Sequence, residues 1–80
     1  MKILYSRTSI KYLKGLEQKH AKKVVEAIDK LPYEGDIKRL KGKKVKNVFR
    51  LRCGKHRIVY EMEVEILKIL KIDTRGDVYK

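Results

Sequence analysis

Three of the chain's six arginines, Arg50, Arg52 and Arg57, fall in a segment of alternating residues that can turn back on itself at Gly54-Lys55. Strand side chains point alternately to opposite faces, so Phe49, Leu51 and Cys53 share one face while Val48, Arg50 and Arg52 share the other. If Gly54-Lys55 forms a two-residue hairpin turn with glycine first, Arg57 emerges beside Arg50 and Arg52. A planar guanidinium grips two oxygens of one phosphate at once. Arginines pinned to a hairpin can therefore align a phosphodiester and hold charge that develops on its oxygens. One reaction suits this set well: cleavage of RNA by its own 2′-hydroxyl. The substrate brings the nucleophile; the protein aligns it, stabilises the phosphorus oxygens and helps move two protons.

Other chemistries find less support. Cys53 and His56 are a pair at one hairpin and His20 is read as lying on a distant helix, so no metal site is expected. There is no phosphate-binding glycine loop, and no pair of carboxylates near the basic region to hold magnesium. Ser6 and Ser9 have no histidine or acid placed to activate them. No cofactor is expected. His56 falls on the same strand face as Ile58, Tyr60 and Met62, which favours a core or rim histidine over a general base. Cys53 reads as a small buried residue, and Tyr5, Tyr12, Tyr33 and Tyr60 as packing residues.

The arginines sit inside a wider concentration of charge. Residues 38–57 hold ten lysines and arginines and no acidic residue, whereas the whole chain has 22 basic and 10 acidic side chains, net +12. Such density repels itself, and a fold that keeps it has a use for it against a polyanion, first of all a nucleic-acid backbone. A well-solvated lysine-rich loop is the alternative reading.

The elements that must position these residues can be read from periodicity. Lys2 to Ser6 forms a short strand, with Ile3 and Tyr5 on one face and Leu4 on the other. Thr8 or Ser9 caps a helix carrying the stripe Ile10, Leu13 and Leu16. A second helix runs from about Gln18 to Leu31, where Ala21, Val24, Val25, Ile28 and Leu31 repeat at helical spacing, and Pro32 stops it. Residues 33–46 read as irregular. Strands follow over Asn47–Cys53, His56–Met62 and Ile66–Ile72. The expected fold is α+β: an N-terminal strand, a helical hairpin, then a three-stranded antiparallel meander, with the helices on one face of a four-stranded antiparallel sheet. Val48, Val59 and Leu67 or Ile69 would leave the opposite face too apolar to stand uncovered.

Eighty residues allow one small domain, spanning 1–80, which buries about 60% of its extended surface. The start at Met1 lacks an apolar signal core, no apolar run approaches the roughly 18 residues of a membrane span, and the single Cys53 fits a reducing interior. A cytoplasmic protein without membrane contact is expected.

The run Leu40-Lys-Gly42, then Phe49-Arg-Leu-Arg-Cys-Gly-Lys-His-Arg-Ile-Val-Tyr-Glu61, then Ile72-Asp-Thr-Arg-Gly-Asp-Val-Tyr79 resembles the RelE/ParE superfamily of bacterial and archaeal toxins. The ending Arg75-Gly-Asp-Val-Tyr79 looks more like the RelE branch, whose members are ribosome-dependent mRNA endonucleases; the ParE branch, similar in fold, poisons DNA gyrase. A bare RNA- or ribosome-binding module is a third reading. The RelE resemblance implies a metal-independent cut of mRNA in the ribosomal A site, leaving a 2′,3′-cyclic phosphate and a 5′-hydroxyl. It implies that Arg57 stabilises the transition-state phosphate and that Arg75 shares that work or acts on the leaving group. Tyr79 would stack on or orient the codon, and Arg50 and Arg52 would contact mRNA near the attacking hydroxyl, Arg52 within the catalytic set. Lys41, Lys43, Lys44, Lys46 and Lys55 would grip RNA. A cognate antitoxin would inhibit the toxin and cover apolar surface, and operator DNA would be reached through that complex. The chain departs from its relatives at His56, where they commonly carry tyrosine.

Overall fold

The computed structural model describes residues 1–40 and 47–74. Along the chain these form β1 (Lys2–Tyr5), α1 (Arg7–Lys14), α2 (Gln18–Asp29), β2 (Asp36–Arg39), β3 (Val48–Cys53), β4 (His56–Glu63) and β5 (Ile66–Thr74). The five strands make one sheet in the order β1-β5-β4-β3-β2. The α+β class and the β3-β4-β5 meander agree with the expected fold, but the sheet has five strands rather than four. It is also mixed rather than antiparallel, because β1 runs parallel to β5. The unanticipated strand, β2, reads Asp-Ile-Lys-Arg. As an edge strand it needs only one inward apolar residue, Ile37, and so lacks the alternating signal of a central strand.

Both helices lie on one sheet face, where Val24, Ile28 and Leu31 close over Leu51, Ile58, Tyr60, Leu67, Ile69 and Ile72. A twelve-residue helix is marginal alone in water; burial of Val24 and Ile28, worth roughly 1.5–3 kcal/mol each, is what holds α2 in place. Of the expected stripe on α1, Leu13 and Leu16 pack on the core together with Tyr12, while Ile10 is 41% exposed. Tyr33 does not pack either and is 85% exposed. Gly35, at φ 131°, admits the chain to β2 where a Cβ would stand 2.6 Å from Leu51 Cδ1.

The helix cap is Ser6, not Thr8 or Ser9. Its Oγ accepts from the Ser9 amide at 3.2 Å and donates to the Leu70 carbonyl at 2.9 Å. That second bond ties α1 to an irregularity in β5. Val59 pairs with Lys71 but Tyr60 pairs with Ile69, so Leu70 is an extra residue in the strand, a β-bulge. Before it Leu67 and Ile69 point inward; after it Ile72 and Thr74 do, and Lys71 and Asp73 turn to the outer face. Leu67 and Ile69 are therefore core residues, not the outer apolar surface expected of them. Among the described residues, large apolar side chains are exposed at Met1, Leu4, Ile10, Tyr33, Val64 and Leu70 instead.

Candidate nucleic-acid interface

The hairpin forms as its sequence demands. Gly54 adopts φ 59°, which an L side chain resists, and Cys53 pairs with His56. The register then sets Arg52 opposite Arg57 and Arg50 opposite Val59, all on the face away from the helices. The rows continue into the neighbouring strands. Asp36, Arg52, Arg57 and Asp73 stand in one line across four strands; Lys38, Arg50, Val59 and Lys71 make the next. Directly opposed residues in an antiparallel pair have Cα atoms only about 4.5–5.5 Å apart, and like charges there repel. The two aspartates at the ends of the first row are the counterweight.

Their geometry differs. Arg57 donates from Nε to Asp73 Oδ1 at 3.0 Å and from Nη2 to Oδ2 at 2.8 Å, a bidentate pair. Lys71 Nζ adds a contact at 3.5 Å. These donors, Arg57 foremost, hold the Asp73 carboxyl below the usual carboxylate range despite its partial burial. Asp36 is looser: its Oδ1 lies 3.8 Å from Arg50 Nη1. Arg50 is only 8% exposed, and its buried Nη1 has no hydrogen-bond partner among the described residues. A buried guanidinium nitrogen left this way costs free energy, and the site keeps it.

Lys38, Leu40, Arg50, Arg52, Arg57, Val59 and Lys71 line an open depression of about 390 Å³. Five of these residues carry positive charge and none is a carboxylate. Such a lining attracts and clasps a phosphate chain.

The structure thus brings together Arg50, Arg52 and Arg57, as expected, and adds Lys38, Lys71, Asp36 and Asp73. Arg57 has Asp73 as its carboxylate partner, where Glu61 or a helix acid could have served. Lys55 does not join the depression; it stands at the hairpin turn and lines a separate cavity of about 540 Å³ with His20, Lys23, Val24, Cys53, Gly54 and His56. His20 is therefore near Cys53 and His56 rather than distant, although no three His, Cys, Asp or Glu side chains among the described residues are arranged to hold a metal. Arg75, Tyr79, Lys41, Lys43, Lys44 and Lys46 lie outside the described residues.

His56 is a buried residue of the helix-side face, as its strand position implied. Tyr12 Oη is 2.9 Å from His56 Nδ1 and 2.8 Å from Thr74 Oγ1, so one tyrosine joins α1, β4 and the end of β5. Burial first, then the charges of Lys55 and His20, lower the imidazole pKa below 6.5.

Residues 3–79 match the family model described as the ParE toxin of type II toxin-antitoxin system, parDE. No curated protein matches the chain significantly. Among solved structures, the chain is similar to one titled an archaeal RelE–RelB complex from Pyrococcus horikoshii, at 28% identity and TM-score 0.77, covering 94% of each chain. It is also similar to one titled a RelB–RelE antitoxin–toxin complex from Methanococcus jannaschii, at 26% identity and TM-score 0.72, covering 95% of this chain and 94% of the other. The YoeB–YefM complex from Staphylococcus aureus shares the fold at 22% identity and TM-score 0.70, covering 91% and 94%. With a family model matched over nearly its whole length and RelE chains among its structural neighbours, the chain belongs to the RelE/ParE superfamily of toxins from type II toxin–antitoxin systems, in its RelE branch.

Proposed function

We propose that this toxin is a ribosome-dependent, metal-independent endoribonuclease that cuts mRNA in the A site through attack by the RNA 2′-hydroxyl. The observation that carries the reading is the opposition of Arg52 and Arg57, with Arg50 beside them, in a depression whose lining holds no carboxylate. Arg57 stabilises charge on the phosphorus oxygens and Arg52 aligns the phosphodiester next to it. Arg50, Lys38 and Lys71 hold neighbouring phosphates, a task for which interchangeable positive charge suffices. Arg75 and Tyr79, by resemblance, act on the leaving group and orient the codon, and the lysines of 41–46 meet ribosomal RNA. A cognate antitoxin neutralises the toxin, a reading supported by the RelE–RelB complexes to which the chain is similar, and the pair reaches operator DNA as a complex in the cytoplasm.

The test is mRNA on programmed ribosomes held at the magnesium concentration that the ribosome itself needs, with no other divalent ion. The reading expects cleavage at the A-site codon and fragments ending in a 2′,3′-cyclic phosphate. Intact mRNA, or cleavage that requires a divalent ion added back beyond what the ribosome needs, would contradict it.

The ParE description of the matching family model favours a second reading, a toxin that binds DNA gyrase. Inhibited supercoiling by purified gyrase, with mRNA left whole, would select it.

A further inference from the structure

The β5 bulge has a consequence at the arginine row. Without a bulge at Leu70, the alternation that sends Leu67 and Ile69 inward would continue unbroken and send Asp73 inward too. With it, Asp73 reaches the outer face directly opposite Arg57. Ser6 fixes the Leu70 carbonyl, so the N-terminus of α1 holds the strand in the register that this pairing needs. Arg57 lies between an arginine on β3 and this aspartate on β5, repelled from one side and bound from the other.

We propose that Asp73 is a positioning residue for Arg57. Its carboxylate takes two of the guanidinium's N–H groups, fixing the plane of the group and drawing it toward β5. The separation from Arg52 kept in this way is where a phosphate bridged by both arginines sits. A cation set in place before the substrate arrives needs no reorganisation as charge develops on phosphorus, which is where such groups gain most of their effect. Asp73 touches no reacting atom; it acts through Arg57. This inference rests on the nuclease reading above.

The experiment measures single-turnover cleavage on programmed ribosomes by wild type, Asp73→Asn, Arg57→Ala and the double variant. It is combined with nitrogen-15 NMR of the Arg57 Nε–H in the free toxin. Asparagine keeps the side chain's shape and can still accept one bond, but it loses the charge. Misplacing a positioned group can cost on the order of 100-fold, so Asp73→Asn is expected to cut roughly 10- to 100-fold more slowly, with half-saturation by ribosomes unchanged. In the Arg57→Ala background the same substitution is expected to change nothing further, because there is no guanidinium left to position. The Nε–H signal, slow to exchange in wild type, is expected to exchange fast in Asp73→Asn.

Cleavage by Asp73→Asn at the wild-type rate, or a loss that adds in full to that of Arg57→Ala, would overturn the inference while leaving the nuclease intact. So would an Arg57 Nε–H that exchanges as fast in wild type as in the variant. Failure of wild type itself to cut would overturn the nuclease reading, and the positioning role of Asp73 in cleavage with it.

Discussion

Arg52 and Arg57 stand directly opposite each other on β3 and β4, two cations held side by side in a sheet register that penalises them. The fold offsets this with carboxylates at the two ends of the row. It places Asp36 beyond Arg52 and Asp73 beyond Arg57, so each arginine has a carboxylate on its far side and the space between the arginines stays positive.

With the proposed function, binding to single-stranded RNA is expected to be steeply salt-dependent. The log-log slope of affinity against salt is expected to be about −0.7 per phosphate neutralised. Replacing Lys38, which lines the depression from β2, with glutamine is expected to reduce the slope's magnitude by about that amount. Fluorescence anisotropy of a labelled oligonucleotide across a salt series measures it; an unchanged slope would make Lys38 an ordinary solvated lysine.

Ser6 serves α1 and the β5 bulge at once. An N-cap serine changed to alanine typically costs about 0.5–2 kcal/mol, and the lost bond to Leu70 adds to that cost. Ser6→Ala is therefore expected to lose about 1–2 kcal/mol of stability in urea unfolding, and Thr8→Ala, whose hydroxyl lies 3.2 Å from Ser6 Oγ at the surface, much less. Equal losses would remove the bulge from the account.

His56 gives the fold a pH dependence with a definite sign. Its folded pKa lies below the 6.5 of a free imidazole because the neutral ring is buried against Tyr12 and near Lys55 and His20. As pH falls through about 6.5, the unfolded chain takes up a proton that the folded chain still refuses, so stability declines. The decline stops once pH has passed the folded pKa. Melting temperatures measured from pH 7.5 downward are expected to drop in wild type and to drop less in His56→Gln. A wild-type melting temperature that rises on acidification through this window would contradict the burial of a neutral ring.

Much of the site was legible in the residues because strand alternation and a glycine-first turn leave little choice of register. Arg50, Arg52 and Arg57 could be placed on one face from spacing alone. Lys71 and Asp73 could not. The Ile69-Leu70 doublet breaks the alternation without saying which residue is extra, and the answer depends on a serine more than sixty positions away. Lys38 was legible as charge but not as a strand residue, since one inward isoleucine in four residues is too weak a pattern. Asp36 and Asp73 carried no signal at all until the strands on which they lie were aligned. His20 was set apart from Cys53 and His56 by sequence distance, which says nothing of how α2 packs across the hairpin's inner face.

In the proposed function, Arg57 acts on the scissile phosphate. The most direct measurement is single-turnover cleavage of mRNA on programmed ribosomes by wild type and by Arg57→Ala, with ribosome binding measured in parallel. Removing a charge-stabilising donor of this kind costs about 100- to 1000-fold in rate, so a loss of that size is expected, with binding largely kept. Equal cutting by both proteins would contradict it.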